Sequence, residues 1–542
     1  MRTKPLFLNL LLAFLLVSLS VHAAMQTEMV PMRDGAKLAT DIYLPDGDGP
    51  FPTVLVRSYY ARGAGAAFGA QFNKVGMAFV IQDNRGRGGS EGKDMVFTDD
   101  GWGELQDGRD TVEWLRAQKW SNGKVGTFGM SALGITQLRL AGTGVPLDGQ
   151  VIWVGSGNFY GELSYIGGVF RKSMLEGWTE SNKSSHILSV WKEHPSFDAY
   201  WKGFDSNARA NLATAPALHV GGWWDIFNQG TIDAFVARQH KGAEGVRGKQ
   251  RLVMGAWTHG GPIGEKAGEL VMPKSWVFDL GGQSLQFLKH CLMGGPSEIA
   301  DGPAVRYYTL GDVSDPAAPG NEWRTADDWP PFKTEETAFY LAPDGLLAKE
   351  PVADAKALTY TFDPANSCPT KGGSNLVIPA GPFDQREIAE RPDVLSFATE
   401  PLAEPLEITG RVKVKLFVSS DAPDTDFTAK LLDIYPDGRA MGMLDGIQRV
   451  KYRKGFEKSD PLAPGTVGEL EIDLWTISLI VNKGHRIGLQ VSSSNYPRFE
   501  LNPNTGADFP AEGGEMRQAV NAVYMDKERP SALLLPVRPK AQ

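Results

Sequence analysis

Cysteine is scarce: the 542 residues contain two, Cys291 and Cys368. Neither sits in a nucleophile-type turn, and there is no cysteine cluster to hold a metal. In an oxidising compartment one bridge between them is open, and so is a pair of separate thiols. Long basic runs are also missing and the net charge is −9, which argues against nucleic acid or an anionic membrane surface as the main partner. P-loop, dinucleotide-type G-x-G-x-x-G and H-E-x-x-H patterns are absent, so no cofactor and no catalytic metal is implied. Asp424, Asp426, Asp433 and Asp437 make a loose Ca²⁺-like set but lack EF-hand spacing. No repeat or low-complexity tract appears. Beyond residue 23 no apolar run reaches the roughly 20 residues a bilayer span needs.

What is present reads as a large globular protein. Hydrophobic residues make up 42% and charged residues 22%, which disfavours disorder. The 62 glycines and 35 prolines suit a chain with many turns and a sizeable all-β part. At the start, Arg2 and Lys4 precede an apolar run from Leu6 to Leu19, then Val21-His22-Ala23. A basic region, an apolar core and a small-residue site predict a signal peptide over 1–23 and an exported, periplasmic or secreted protein. An uncleaved N-terminal anchor is the alternative.

The periodicity divides the rest. Pro52–Arg57 (PTVLVR) and Met77–Asp83 (MAFVIQD) are buried-type strands, Asp107–Gln118 is an amphipathic helix, and Lys124–Phe128 is another strand. That alternation predicts a parallel α/β sheet over 24–154, resuming over 215–300 through Pro216–Gly222, Arg251–Gly255 and a closing helix at Ser284–Met293. Between them, 155–214 is rich in aromatics without strand alternation and reads as a helical cap. From 301 to 542 short β-rich runs with Asp-Gly and Pro-Gly punctuation predict a β-sandwich, most simply a jelly roll. Asp344-Gly345 and Asp437-Gly438 are the expected hairpin turns.

The chemistry begins at Gly129-Met130-Ser131-Ala132-Leu133-Gly134. A serine between a strand and a helix, with glycines two before and three after, suits a sharp turn that exposes Oγ. A hydroxyl needs a base, and the base needs an orienting carboxylate. In such a fold these follow in the order Ser, Asp or Glu, His, past the ends of later strands. Trp223-Trp224-Asp225 follows one strand and Thr258-His259-Gly260-Gly261 the next. Of the eight histidines, only His259 lies in a glycine-flanked loop after a strand. His219 lies inside a strand and reads as a core residue. Asp225 also suits a helix cap, and the two roles are compatible.

These segments, with Met32-Arg33-Asp34-Gly35, Gln82–Gly92 (QDNRGRGGSEG) and Asp424–Ala440, resemble the CocE/NonD-type serine hydrolases. That family includes cocaine esterases, α-amino-acid ester hydrolases, certain cephalosporin acylases and X-Pro dipeptidyl-peptidases. The resemblance covers nearly the whole chain after residue 23. It implies an α/β-hydrolase core, a helical cap and a C-terminal jelly roll. It further implies an oxyanion hole made by the Ala132 backbone N–H and a tyrosine hydroxyl in Arg57-Ser58-Tyr59-Tyr60-Ala61-Arg62. Tyr60 matches the family position best, with Tyr59 as its rival, because the usual Pro-Tyr-Asp is missing. Ala132 replaces the tyrosine that commonly follows the serine, which alters the pocket wall and spares the backbone donor.

The expectation is therefore an exported hydrolase that cleaves a small-molecule ester or amide through Ser131, His259 and Asp225 and an acyl-enzyme. Cleavage after an X-Pro dipeptide is the first alternative, requiring an acidic anchor from Glu162, Glu176, Glu180 or Glu193. A non-catalytic exported binding protein is the second. Asp83, Arg85 and Arg87 read as a network that pins their loop rather than as an anion site. Nothing in the pattern specifies an oligomer or a substrate.

Overall fold

A computed structural model describes residues 25–60, 62–511 and 514–539; the expected signal peptide lies outside them. Its centre is a ten-stranded sheet. The strands are β1 (Met25–Pro31), β2 (Lys37–Tyr43), β3 (Phe51–Ser58), β4 (Ala78–Asp83), β5 (Ser121–Met130), β6 (Gly149–Trp153), β7 (Ala217–Trp224), β8 (Arg251–Thr258), β9 (Val305–Thr309) and β10 (Glu322–Ala326). They lie in the order β1-β2-β4-β3-β5-β6-β7-β8-β9-β10. From β4 to β9 every neighbouring pair is parallel, and the edges beyond are antiparallel.

The apolar runs are continuous because both faces of the sheet are covered. On one face Leu55, Val80 and Val125 pack with Val112 and Leu115 of α2 (Asp107–Arg116) and Leu140 of α3 (Ala132–Ala141). On the other, Val54, Val56, Phe79 and Ile81 pack with Phe72 of α1 (Gly65–Lys74) and Leu288 and Leu292 of α7 (Leu280–Met293). Past residue 300, β9 and β10 pair onto the same sheet. Their β-rich sequence reads like the domain that follows, and only pairing reveals which sheet takes them.

The cap is mixed rather than purely helical. A π turn at Phe159–Ser164 and a small hairpin (Tyr165–Ile166 with Val169–Phe170) precede α4 (Lys172–Ser181) and α5 (Ile187–Glu193). Back in the core, α6 (Asn228–Lys241) follows β7.

The C-terminal part is all-β. One antiparallel sheet joins β11 (Glu335–Leu341), β12 (Leu347–Ala348), β13 (Leu358–Phe362), β15 (Leu406–Ser420), β18 (Gly468–Val481), β20 (Ala519–Tyr524) and β21 (Ala532–Val537). A four-stranded sheet joins β14 (Leu395–Ala398), β16 (Asp426–Ile434), β17 (Ala440–Arg449) and β19 (Arg486–Ser492). Alternation in β15 shows why: Val412, Val414, Leu416 and Val418 are buried, while Lys413 and Lys415 pair with Glu471 and Glu469 across the strand pair. Asp437-Gly438 turns β16 into β17, with Gly438 at φ 88°. This domain docks behind the core: Trp224 Nε1 donates to the Met443 carbonyl at 3.0 Å, and Asn228 Nδ2 to the Thr476 carbonyl at 2.8 Å.

Cys291 and Cys368 are both free thiols. The four aspartates of the Ca²⁺-like set are taken up by protein partners: Asp424 and Asp426 by Arg449, Asp433 by His485, Asp437 by Arg439. Among the described residues no group of three or more His, Cys, Asp or Glu is placed to hold a metal ion. No helix among them is long and apolar enough to cross a membrane.

Candidate active site

Ser131 sits between β5 and α3 with φ 58° and ψ −124°, a conformation that costs a non-glycine residue about 1–3 kcal/mol. Tight packing holds the turn there. A Cβ on Gly129 would lie 2.5 Å from Leu133 Cβ, and one on Gly134 would lie 2.9 Å from the Trp153 carbonyl. Both positions therefore require glycine, which explains their spacing about the serine. The Ser131 N–H donates to the Trp153 carbonyl of β6 at 2.9 Å, so the neighbouring strand fixes the turn.

His259 follows β8 directly. The β7–β8 register shifts between Gly255 and Thr258, and such an irregularity re-aims the side chains beyond it. Gly261 closes the loop through its N–H to the Thr258 carbonyl at 3.0 Å. The ring of Phe227 meets His259 edge-on at 5.8 Å, and the imidazole is only 6% exposed. Asp225, the first residue after β7, is fully buried. Its Oδ1 accepts the Phe227 N–H at 2.7 Å, so it shapes the entry into α6 as well.

The three side chains converge. Asp225 Oδ2 is 2.5 Å from His259 Nδ1, and His259 Nε2 is 2.8 Å from Ser131 Oγ. With the Nδ1 proton directed to the carboxylate, Nε2 is left as the acceptor for the serine proton. Strong, short hydrogen bonds to an ionised group in a buried setting suit general-base work.

The two tyrosines part company. Tyr59 is buried, and its hydroxyl donates to Asp94 Oδ1. The Tyr60 hydroxyl instead reaches Ser131 and accepts the Trp178 Nε1–H at 3.2 Å. Burial raises the Tyr60 pKa, so the phenol keeps its proton. Ala132 opens α3, where the first N–H groups lack intrahelical carbonyl partners. One phenol and one backbone amide thus lie beside the serine. Trp178 is the contributor that sequence alone does not single out. It is one aromatic among several in the cap, and its partner is 118 positions earlier in the chain.

The basic loop residues are consumed structurally. Arg85 pairs with Asp34 and Asp107 at 2.7 Å each, and Asp83 with Arg62. Arg87 donates to the Asn182 carbonyl at 2.6 Å and lies over the Tyr59 ring, tying this loop to the cap. His219 is buried within β7, where burial lowers its pKa well below the ordinary value.

Comparison with known proteins identifies relatives along nearly the whole chain. Residues 34–187 and 175–261 match the X-Pro dipeptidyl-peptidase (S15) family model, and residues 297–534 match the X-Pro dipeptidyl-peptidase C-terminal non-catalytic domain. The cocaine esterase of Rhodococcus sp. (strain MB1 Bresler) is 34% identical, over 94% of this chain and 97% of its own. An aminopeptidase from a marine sediment Thaumarchaeota archaeon has a similar structure, with TM-score 0.81 and 27% identity, covering 95% of this chain and 96% of its own. An α-amino acid ester hydrolase also superposes with TM-score 0.81 and 26% identity, covering 96% and 98%.

Proposed function

The chain belongs to the CocE/NonD-type family of serine hydrolases, enzymes of ester and amide bonds, and on that premise we propose that it cleaves a carboxylic ester through Ser131, His259, Asp225 and an acyl-enzyme. His259 Nε2 takes the hydroxyl proton as Ser131 Oγ bonds to the carbonyl carbon. The carbonyl electrons move onto oxygen, where the Ala132 N–H and the Tyr60 O–H hold the negative charge. When the tetrahedral intermediate collapses, the carbon–oxygen bond to the leaving group breaks and His259 returns its proton to that alkoxide. Water then attacks the acyl-enzyme, giving its proton to His259, and the carboxylic acid leaves as Ser131 is restored. Asp225 holds the imidazole orientation and stabilises the imidazolium.

The observation that carries this reading is the unbroken hydrogen-bond chain from Asp225 to Ser131, at 2.5 and 2.8 Å. An ester is favoured over an X-Pro peptide because a free ammonium needs an ionised carboxylate aimed at it. The four cap glutamates are occupied or elsewhere. Glu162 is buried, accepts from Ser156 Oγ at 2.7 Å and has its pKa pushed up to about 8 by burial and then by Asp233, so it is mainly neutral at pH 7. Glu176 pairs with Lys172 and Lys192, while Glu180 and Glu193 are exposed. The apolar cluster around Ala132 includes Phe97, Phe159, Trp178, Ile187 and Phe227, a wall suited to a substrate with a bulky apolar acyl or leaving group.

Turnover of a p-nitrophenyl ester tests the assignment. Ser131→Ala should lose about 10⁴–10⁶-fold in kcat while melting like the parent. Retention of parental turnover defeats it. Export rests on residues 1–23; a mature N-terminus at or near Ala24 supports it, and an intact Met1 start in the cytoplasmic fraction contradicts it.

A further inference from the structure

We propose that Trp178, carried by the cap, is a positioning residue of the oxyanion hole: its indole N–H fills one acceptor site of the Tyr60 hydroxyl and so commits the phenolic proton to the oxyanion. The inference rests on the role proposed above for Tyr60.

A phenol has one proton and accepts through the remaining lone pairs on oxygen, whereas an indole Nε1–H only donates. With Trp178 Nε1 at 3.2 Å from Tyr60 Oη, the tyrosine proton cannot point at Trp178. The Tyr60 hydroxyl also reaches the Ser131 side chain, beside which the substrate carbonyl oxygen would develop charge. A donor already pointing there needs no reorientation during reaction, which is the source of its catalytic value.

The indole is itself firmly held. Trp178 is 8% exposed. It stacks on Phe97 at 5.6 Å and 25° and packs against Tyr59 at 5.5 Å. Its carbonyl accepts the Asn182 N–H and Nδ2–H at 3.1 and 2.8 Å. Tyr59 has a duty of its own in this arrangement. Its ring contacts both Phe97 and Trp178, and its hydroxyl is spent on Asp94, which also accepts from Ser184 Oγ at 2.6 Å. One tyrosine buttresses the indole and the next receives its proton. The cap is thereby part of the catalytic apparatus.

Tyr60→Phe, Trp178→Phe and the double variant, assayed on a p-nitrophenyl ester, test this. Tyr60→Phe should lower kcat about 10²–10³-fold. Trp178→Phe should lower kcat about tenfold, the worth of one lost hydrogen bond, with KM within about threefold. The double variant should be no slower than Tyr60→Phe alone, because without the phenol oxygen the indole has nothing to orient. Should Trp178→Phe disturb folding, a benzothienyl-alanine at position 178 keeps the ring shape, lacks the N–H and should show the same loss. If Tyr60→Phe costs activity but Trp178→Phe does not, or if the two losses multiply, the positioning role alone is overturned. If Tyr60→Phe leaves kcat unchanged, the Tyr60 assignment falls and this inference with it.

Discussion

His259 and His485 are both buried, and each turns Nδ1 to an aspartate, at 2.5 Å to Asp225 and 2.8 Å to Asp433. They differ in what the other nitrogen meets. His259 Nε2 faces a serine hydroxyl at 2.8 Å, which has a proton to give and an oxygen able to attack. His485 Nε2 faces a second carboxylate, Asp312, at 3.3 Å. Burial opposes a charge on His485, yet the Asp433 hydrogen bond and the charges of Asp433 and Asp312 outweigh it and raise its pKa. Two carboxylates around one imidazole tie the all-β domain to the segment after β9. By its third member the one Asp–His pair is suited to the proposed catalysis and the other to cohesion.

Substitutions can break that comparison. The largest effect is expected from His259→Ala, with kcat on an activated ester falling about 10⁴–10⁶-fold, against a change within about twofold for His485→Ala assayed below its melting midpoint. Asp225→Asn comes next. It preserves the shape but favours the wrong imidazole tautomer, and kcat should fall about 10³–10⁴-fold with the melting curve nearly unchanged. Asp433→Ala should act in the opposite way, leaving turnover intact and costing about 1–3 kcal/mol in denaturant unfolding, because it leaves the buried His485 Nδ1 without its partner. The smallest effect is in pH dependence. The raised His485 pKa means its stabilisation is full below about 6.5 and is lost as pH rises through the higher folded-state value. His485→Gln should flatten the fall in melting temperature over that window, and an unchanged slope would assign the fall to other groups.

Much of the catalytic region was readable because its signals are local. Gly129 and Gly134 mark the turn by the contacts a Cβ would make, and Asp225 and His259 are the first residues past β7 and β8. Order along the chain and position at strand ends are enough to pair them. Only the family resemblance favoured Tyr60 over Tyr59, since adjacent residues differ in sequence terms only in the direction of their side chains. Contacts with Asp94 and Trp178, from distant segments, divide their roles. The fate of β9 and β10 was hidden for a related reason. Val305–Thr309 (VRYYT) has the composition of any strand, and its parallel register with β8 is a tertiary fact. Two cysteines alone left the bridge open, and their separate placement, on α7 and beside Ser494, closes the question.

The contrast between the two histidines comes to a point in covalent labelling. With a fluorophosphonate and peptide mapping by mass spectrometry, one adduct is expected, on Ser131. Its formation should slow by at least about 10³-fold in His259→Ala and stay at the parental rate in His485→Ala. An adduct on a different serine, or labelling of Ser131 that is equally fast without His259, would contradict the assignment of these residues as nucleophile and base.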